Sequence, residues 1–326
     1  MAELIGARRG AYAALAGGLA LLTALVVYHG AGEVLAALAA AGYGLLLVAL
    51  FHLGPLFADA LGWRRLVGNR VSRLAFMRLR WIGESINSLL PVFQLGGNVV
   101  KAQLLARRGV PQPVAAASVV VDVTLVAASQ LLFTLFGLLL LIEHLGGGGL
   151  VAPSLAGVAI MGFLVAAFFA VQRRGLFAGL ARSIGRFGGD RRWAQLTSSA
   201  EALDETVAQI YRDRGALIAA VSWHLMSWIL GAGEVWLALR FIGHPVDLQT
   251  ALLLESLGQA VRVAAFAIPG AMGVQEGGYL VLGRAVGLAP ETCLALSLSK
   301  RVREIALGIP GLIAWQWEGV LARDGA

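Results

Sequence analysis

Leu294-Ala295-Leu296-Ser297-Leu298-Ser299-Lys300-Arg301-Val302-Arg303-Glu304-Ile305-Ala306-Leu307 lies in a stretch, residues 290–317, that is apolar enough to cross a bilayer yet carries four charges at its centre. One charge at bilayer depth costs about 2.5–3.5 kcal/mol on insertion scales. Such residues mark a pathway or a binding site. Just upstream, Ile268-Pro269-Gly270-Ala271-Met272-Gly273-Val274-Gln275-Glu276-Gly277-Gly278 breaks an apolar stretch with one Pro and four Gly. Broken apolar segments beside intramembrane charge are the signature of a transporter.

Composition agrees. Of 326 residues, 58% are hydrophobic and only 14% charged, with mean hydropathy +0.78, against about 25% charged in soluble proteins. This predicts an all-α polytopic membrane protein. Full-length spans of about 20 residues are expected at 11–28, 43–62, 113–142, 150–172, 216–240 and 290–316. The first is read as a helix and not a cleaved leader, because its apolar run lacks a clean small-residue cleavage site. Two further stretches, 76–107 and 250–286, are interrupted at Pro91–Gly97 and Pro269–Gly278 and are expected to form re-entrant helical hairpins. Non-helical backbone at that depth needs cover from protein or a wet cavity.

The net charge of +7 is read as positive-inside bias and not as nucleic-acid affinity. Arg8, Arg9, Arg64, Arg65, Arg78, Arg80, Arg107, Arg108, Arg173, Arg174 and Arg323 fall on one side if each hairpin returns to the face it entered. That places both termini in the cytoplasm and the chain in the cytoplasmic (inner) membrane. Trp193, Leu196, Ala200, Leu203, Val207 and Ile210 recur at helical spacing. A helix over 190–213 is expected, lying on the membrane surface or packed on other segments. Trp63, Trp236, Trp315 and Trp317 are expected as interface anchors. The single Cys293 excludes an internal disulfide, the five histidines show no ligand spacing, and neither a cofactor nor a metal is expected. Nothing pairs a nucleophile with a base, so an enzyme is not expected.

Shifting the chain by 178 residues lays Pro91 on Pro269, Gly109 on Gly287, Glu84 on Arg262, Asn98 on Glu276 and Asp122 on Lys300. Residues 1–145 and 146–326 then form two halves, each with three spans and a hairpin, and the odd count makes their topology inverted.

The candidate site follows from this frame. Glu84 and Asp122 come from the first half; Arg262, Glu276, Lys300, Arg301, Arg303 and Glu304 come from the second. With Lys101 or Arg284 added, cations exceed these acids by one. Either an Arg contacts an anionic ligand, or the charges only pair: Glu84 or Asp122 with Arg262 or Arg301, Glu304 with Lys300 or Arg303. The turns Gly96-Gly97-Asn98 and Gly273-Val274-Gln275-Glu276 precede short helices whose N-termini could offer free N–H groups to a phosphate or carboxylate. The alternative for the glycines is close helix packing. Asp59 is read as snorkelling or pairing with Arg64, and Glu234 as contacting Arg240 or the site.

Asn87-Ser88-Leu89-Leu90-Pro91 with Gly96-Gly97-Asn98-Val99-Val100-Lys101, and Pro269 to Gly277 with Ser299-Lys300-Arg301, resemble the flippase-like family of the lysylphosphatidylglycerol synthetase transmembrane region. Within it the chain is most similar to hopanoid-biosynthesis-associated membrane proteins. The resemblance covers nearly the whole chain. It implies passage of a polar, anionic lipid headgroup through the protein while the tails stay in the bilayer. Membrane lipids are then the partners, with lipid-biosynthesis enzymes as further candidates in a scaffold alternative. Many relatives carry an acid where Asn98 stands and an Arg where Val123 stands, so the resemblance also implies a first half that is either weakened or tuned to a different headgroup. With 326 residues spent on the membrane part, neither a soluble aminoacyl-transferase domain nor synthetase activity is expected.

Overall fold

The computed structural model describes residues 19–90, 95–145, 151–176, 178, 191–265 and 268–324. The helices are α1 (Leu19–Tyr28), α2 (Ala31–Ala41), α3 (Gly44–Phe51), α4 (Leu53–Val67), α5 (Arg73–Leu89), α6 (Gly96–Ala106), α7 (Gln112–Leu145), α8 (Val151–Arg173), α9 (Arg191–Ile210), α10 (Arg214–Ile242), α11 (Leu248–Ala264), α12 (Val274–Ala285) and α13 (Pro290–Asp324). No strand occurs among the described residues.

Four stretches are long and apolar enough to span a membrane: Gly44–Val67, Gln112–His144, Leu155–Gln172 and Arg214–Ile242. α1 and α2 make a fifth if counted together, but they meet at 95°, so the expected first span turns after Tyr28; its portion 11–18 lies outside the described residues. The expected sixth span is one continuous helix, α13, but its central charges keep it off that set. Six uniform spans is therefore a simplification.

Both predicted interruptions separate helix pairs: α5 from α6, and α11 from α12. Residues 91–94 of the first turn lie outside the described residues, as does the glycine run 146–149. In the second turn Pro269–Ala271 forms a short 3-10 turn, with Gly270 at φ 64° and Gly273 at φ 77°. Such φ values suit a residue without Cβ. The helix starts repeat the sequence offset: Gly96 and Val274 open α6 and α12, and Gln112 and Pro290 open α7 and α13, each pair 178 residues apart.

Small residues let the helices close on one another, as expected where lipid supplies no hydrophobic drive between them. A Cβ on Gly308 or Gly311 of α13 would lie 2.6 Å from Leu89 Cδ1 or 2.0 Å from Ser85 Oγ of α5. There Trp81 Nε1 donates to the Leu307 carbonyl at 2.9 Å. Gly258 admits the ring of Tyr279, and Gly278 admits Val261, at approaches of 2.9 and 2.7 Å.

α9 is helical as expected. Val207 is fully buried, and Leu203, Ile210 and Tyr211 pack on the same core. Its apolar face, where described, covers protein and not lipid; the side chains of Trp193 and Leu196 lie outside the described set. Trp63 is not an interface anchor. It is fully buried, donates to Ser118 Oγ at 3.1 Å and meets Phe76 edge-on. Trp317, by contrast, is exposed.

Two apolar cores flank the middle of the molecule. One holds Ala60, Trp63 and Leu66 with Ala115 to Leu125 and Ala220. The other holds Val48 with Leu138, Leu141, Val235 and Leu239. Each of three long spans thus gives one end to each core.

Candidate functional site: a charged cavity at the centre of the spans

Between those two cores lies a cavity of about 430 Å³. The long spans turn polar or small residues to it at their midpoints: His52, Pro55 and Asp59; Asp122, Ala127 and Gln130; Ser227, Gly231 and Glu234. α5 adds Arg80, Glu84 and Asn87, α6 adds Asn98 and Lys101, α11 adds Glu255, Gln259 and Arg262, and α13 adds Arg303. Apart from the five-residue step between Asp122 and Ala127, spacings of three, four or seven residues explain this, since they stack side chains on one helix face. The exterior of the same helices is apolar, with Leu132, Phe136, Ile218, Met226 and Ile229 exposed.

The charges form two groups, one on each side of the cavity. On one side Arg80 bridges Asp59 at 2.8 Å and Asp122 at 2.9 Å. Lys101 Nζ reaches Asp122 at 3.3 Å and sits 4.9 Å from the Trp63 ring centre. His224 completes this group, 2.7 Å from Asp59 and 3.2 Å from Asp122. The second of these is an ion-pair approach whose atoms, His224 Nε2 and Asp122 Oδ1, lack hydrogen-bond geometry.

Across the cavity His52 touches Glu84 at 2.9 Å and Glu234 at 2.8 Å. Arg303 binds Glu234 at 3.0 Å. Lys300 binds Glu255 at 2.6 Å and approaches Glu234 at 3.9 Å. Behind them Arg262 hydrogen-bonds Glu304 and Gln275. Arg301 binds Glu276 at 3.0 Å, Glu304 at 3.1 Å and the Gly270 carbonyl at 2.6 Å.

Of the residues expected at the site, Glu84, Asn98, Lys101, Asp122, Arg262 and Arg303 line the cavity. Gly96, Gly97, Gly273, Gln275, Glu276, Lys300, Arg301 and Glu304 do not line it. At Gly97 and Gly273 the turns follow the packing alternative. A Cβ on Gly97 would stand 2.0 Å from the Gly83 carbonyl oxygen, and the Gly97 N–H is taken by Asn87 Oδ1 at 2.8 Å. The Gly273 N–H is taken by the Glu276 carboxylate at 2.6 Å, which also accepts from Ser297. These helix N-termini are capped by the protein itself, and their glycines serve packing and turn geometry.

The expected pairings hold for Glu304 with Arg303, at 3.6 Å. Glu84 pairs with His52 and not with Arg262 or Arg301, and Asp122 pairs with Arg80 and Lys101. Arg80 is not a loop base, and Asp59 binds it in place of Arg64. The structure adds Asp59, Glu234 and Glu255 to the acids and Arg80 to the cations, with His52 and His224 among them, so the charges that meet extend beyond the set in which one excess cation was expected. The sequence reading missed His52, His224, Glu255 and the inward aim of Arg80. Their signal was polar residues recurring every four or seven positions inside apolar helices. No cluster of metal-ligating residues occurs among the described residues.

The fold and this cavity define a polytopic α-helical membrane protein with a buried polar site at the depth of its spans. The family described as the lysylphosphatidylglycerol synthase TM region matches residues 13–311, and the chain belongs to it. That is a membrane protein family related to lipid headgroup handling. Searches of curated proteins and of solved structures returned no match.

Proposed function

We propose that this protein moves a polar lipid headgroup across the cytoplasmic membrane, the acyl tails remaining in the bilayer. One observation carries the reading: a charged cavity midway along spans whose outer faces are apolar. A headgroup crossing there exchanges water for fixed charges, avoiding the cost of bare hydrocarbon.

The anionic-headgroup expectation takes a more specific form. Each lining cation already shares a carboxylate, as Arg80 does with Asp59 and Arg303 with Glu234. A headgroup phosphate or carboxylate therefore competes with internal carboxylates for Arg262 and Arg303. Internal pairing keeps the empty site from holding unmatched charge, which would be costly. The 178-residue recurrence of helix starts supports two related halves, 1–145 and 146–326; their inverted topology and the cytoplasmic termini rest on the span count and the placement of the arginines in the sequence. The link to hopanoid lipids rests on the sequence resemblance alone. The scaffold alternative keeps the basic cytoplasmic face as its motive, while Leu203, Val207 and Ile210 of α9 pack on the protein and are not offered to a partner.

The test is translocation of labelled lipids by purified protein in sealed vesicles, with anionic, aminoacylated and hopanoid headgroups compared. Selective movement that slows in Arg262→Gln, with folding retained, is expected. No movement of any class by folded protein would end the proposal.

A further inference from the structure

His52 occupies a loosened point between α3 and α4. Three residues on, Pro55 has no N–H to offer the Phe51 carbonyl, so one helical bond is missing there. The ring stays anchored by its partners. Nε2 lies 2.9 Å from Glu84 Oε1. Nδ1 faces two groups at the same distance: Glu234 Oε2 at 2.8 Å and Arg303 Nη1 at 2.8 Å.

Those two contacts make opposite demands. Arg303 can only donate, and the Glu234 carboxylate can only accept. A neutral ring protonated at Nε2 donates to Glu84 and accepts from Arg303. A ring protonated at both nitrogens donates to Glu84 and Glu234, and cannot accept from Arg303. The imidazolium therefore excludes the ring–Arg303 bond, which the neutral Nε2–H ring allows.

The surroundings favour a path for the proton. The Glu84 side chain is 37% exposed and lines the cavity, whereas that of Glu234 is 1% exposed. Glu234 Oε1 has no hydrogen-bond partner, its nearest cation being Lys300 at 3.9 Å. The other charged groups nearby are Glu255, held by Lys300, and Glu304, 3.6 Å from Arg303.

We propose that headgroup binding is coupled to proton uptake at His52, which makes the protein a proton-linked lipid carrier. Glu84 takes a proton from cavity water. Exchange with cavity water moves the neutral ring's hydrogen from Nε2 to Nδ1, which breaks the bond from Arg303; Glu84 then passes its proton to the vacated Nε2, leaving the Glu84 carboxylate and an imidazolium that cannot accept from Arg303. One O–H bond is broken and one N–H bond is made. Arg303 Nη1, off the ring but still 3.0 Å from Glu234 Oε2, now stands beside a second positive charge, and an anionic headgroup group takes the place the ring nitrogen held. Loss of the Nδ1 proton restores the ring–Arg303 bond and expels the headgroup. His224, between Asp59 and Asp122, is too buried to begin such a path.

This inference rests on the proposed lipid movement, and one experiment separates the two. The protein is placed in phosphatidylcholine vesicles with acyl-labelled phosphatidylglycerol, whose phosphate keeps its charge across the range used. The membrane potential is clamped with potassium and valinomycin, and a pH gradient is imposed. One proton carried per lipid shifts the equilibrium leaflet ratio by about tenfold per pH unit, since one unit is a tenfold ratio of proton activity. A lumenal pH dye is expected to report matching proton flow.

Lipid that equilibrates between leaflets but ignores the gradient would overturn the coupling and leave lipid movement standing. No lipid movement at all would overturn both. Folded His52→Gln is expected to lose the gradient response, and retention of it would also overturn the proposal. The wild-type measurement decides even if that variant does not fold.

Discussion

Gly97 meets Gly83 so closely that a Cβ at position 97 would lie 2.0 Å from the Gly83 carbonyl oxygen. This contact closes the α5–α6 hairpin and brings Lys101 of α6 against Gly83. Gly97→Ala must push apart two backbones, not a flexible side chain. The cost is expected at or above the usual overpacking range of about 1–3 kcal/mol. Thermal unfolding in detergent should show a clear loss of stability, whereas alanine at Gly277, which has open space around its Cβ position, should be nearly silent.

Asp122 is fully buried and serves Arg80, Lys101 and His224 together. Removing one member of such a network strands the others. Asp122→Asn is expected to cost about 3–5 kcal/mol, the range for breaking a buried pair. Adding Lys101→Met removes the stranded ammonium and should recover part of the loss. A double variant no more stable than Asp122→Asn alone would contradict the pairing.

Arg301 is expected to behave as a latch and not as a ligand-binding group. Its guanidinium is consumed by Glu276, Glu304 and the Gly270 carbonyl, which tie α13 to the turn before α12. Arg301→Gln should lower the folded yield, with lipid movement per folded molecule largely kept. Arg262→Gln, which alters the cavity lining, should show the reverse. Measured rates normalised to the monodisperse fraction distinguish the two.

Asp247 caps α11, its carboxylate accepting from the Thr250 N–H at 2.7 Å. That bond to the backbone holds its carboxyl below the ordinary aspartate range. Its stabilisation is fully present above the unfolded value of about 4 and is lost as pH falls through the lower folded value. Asp247→Ala should cost about 1 kcal/mol near neutrality, as caps do. The difference from wild type, followed by thermal unfolding against pH, should shrink on acidification.

Much of this architecture was legible from residue type and spacing. Apolar runs of spanning length gave the long helices, and Pro and Gly located both breaks, because these residues limit helical backbone wherever they stand. The 178-residue offset that aligned Pro91 with Pro269 reappears in the starts of α6 and α12 and of α7 and α13. The site was only partly legible. Glu84, Asp122, Arg262 and Arg303 stood out as charges in apolar surroundings. Arg80 was taken for a loop base because it follows a span and sits among other arginines.

The sequence by itself determined that the chain enters a membrane, where its helices break, and that charges would be buried, since hydropathy and backbone geometry are local properties. Only the tertiary structure decided which charges meet. His52 and Glu234 stand 182 positions apart, and Arg303 and His52 stand 251 apart. Ion pairing depends on a few ångströms between helix faces, and no local pattern encodes that distance. The same holds for the glycines: whether one cradles a ligand or admits a neighbour is set by what packs against it, and here Gly97 admits Gly83.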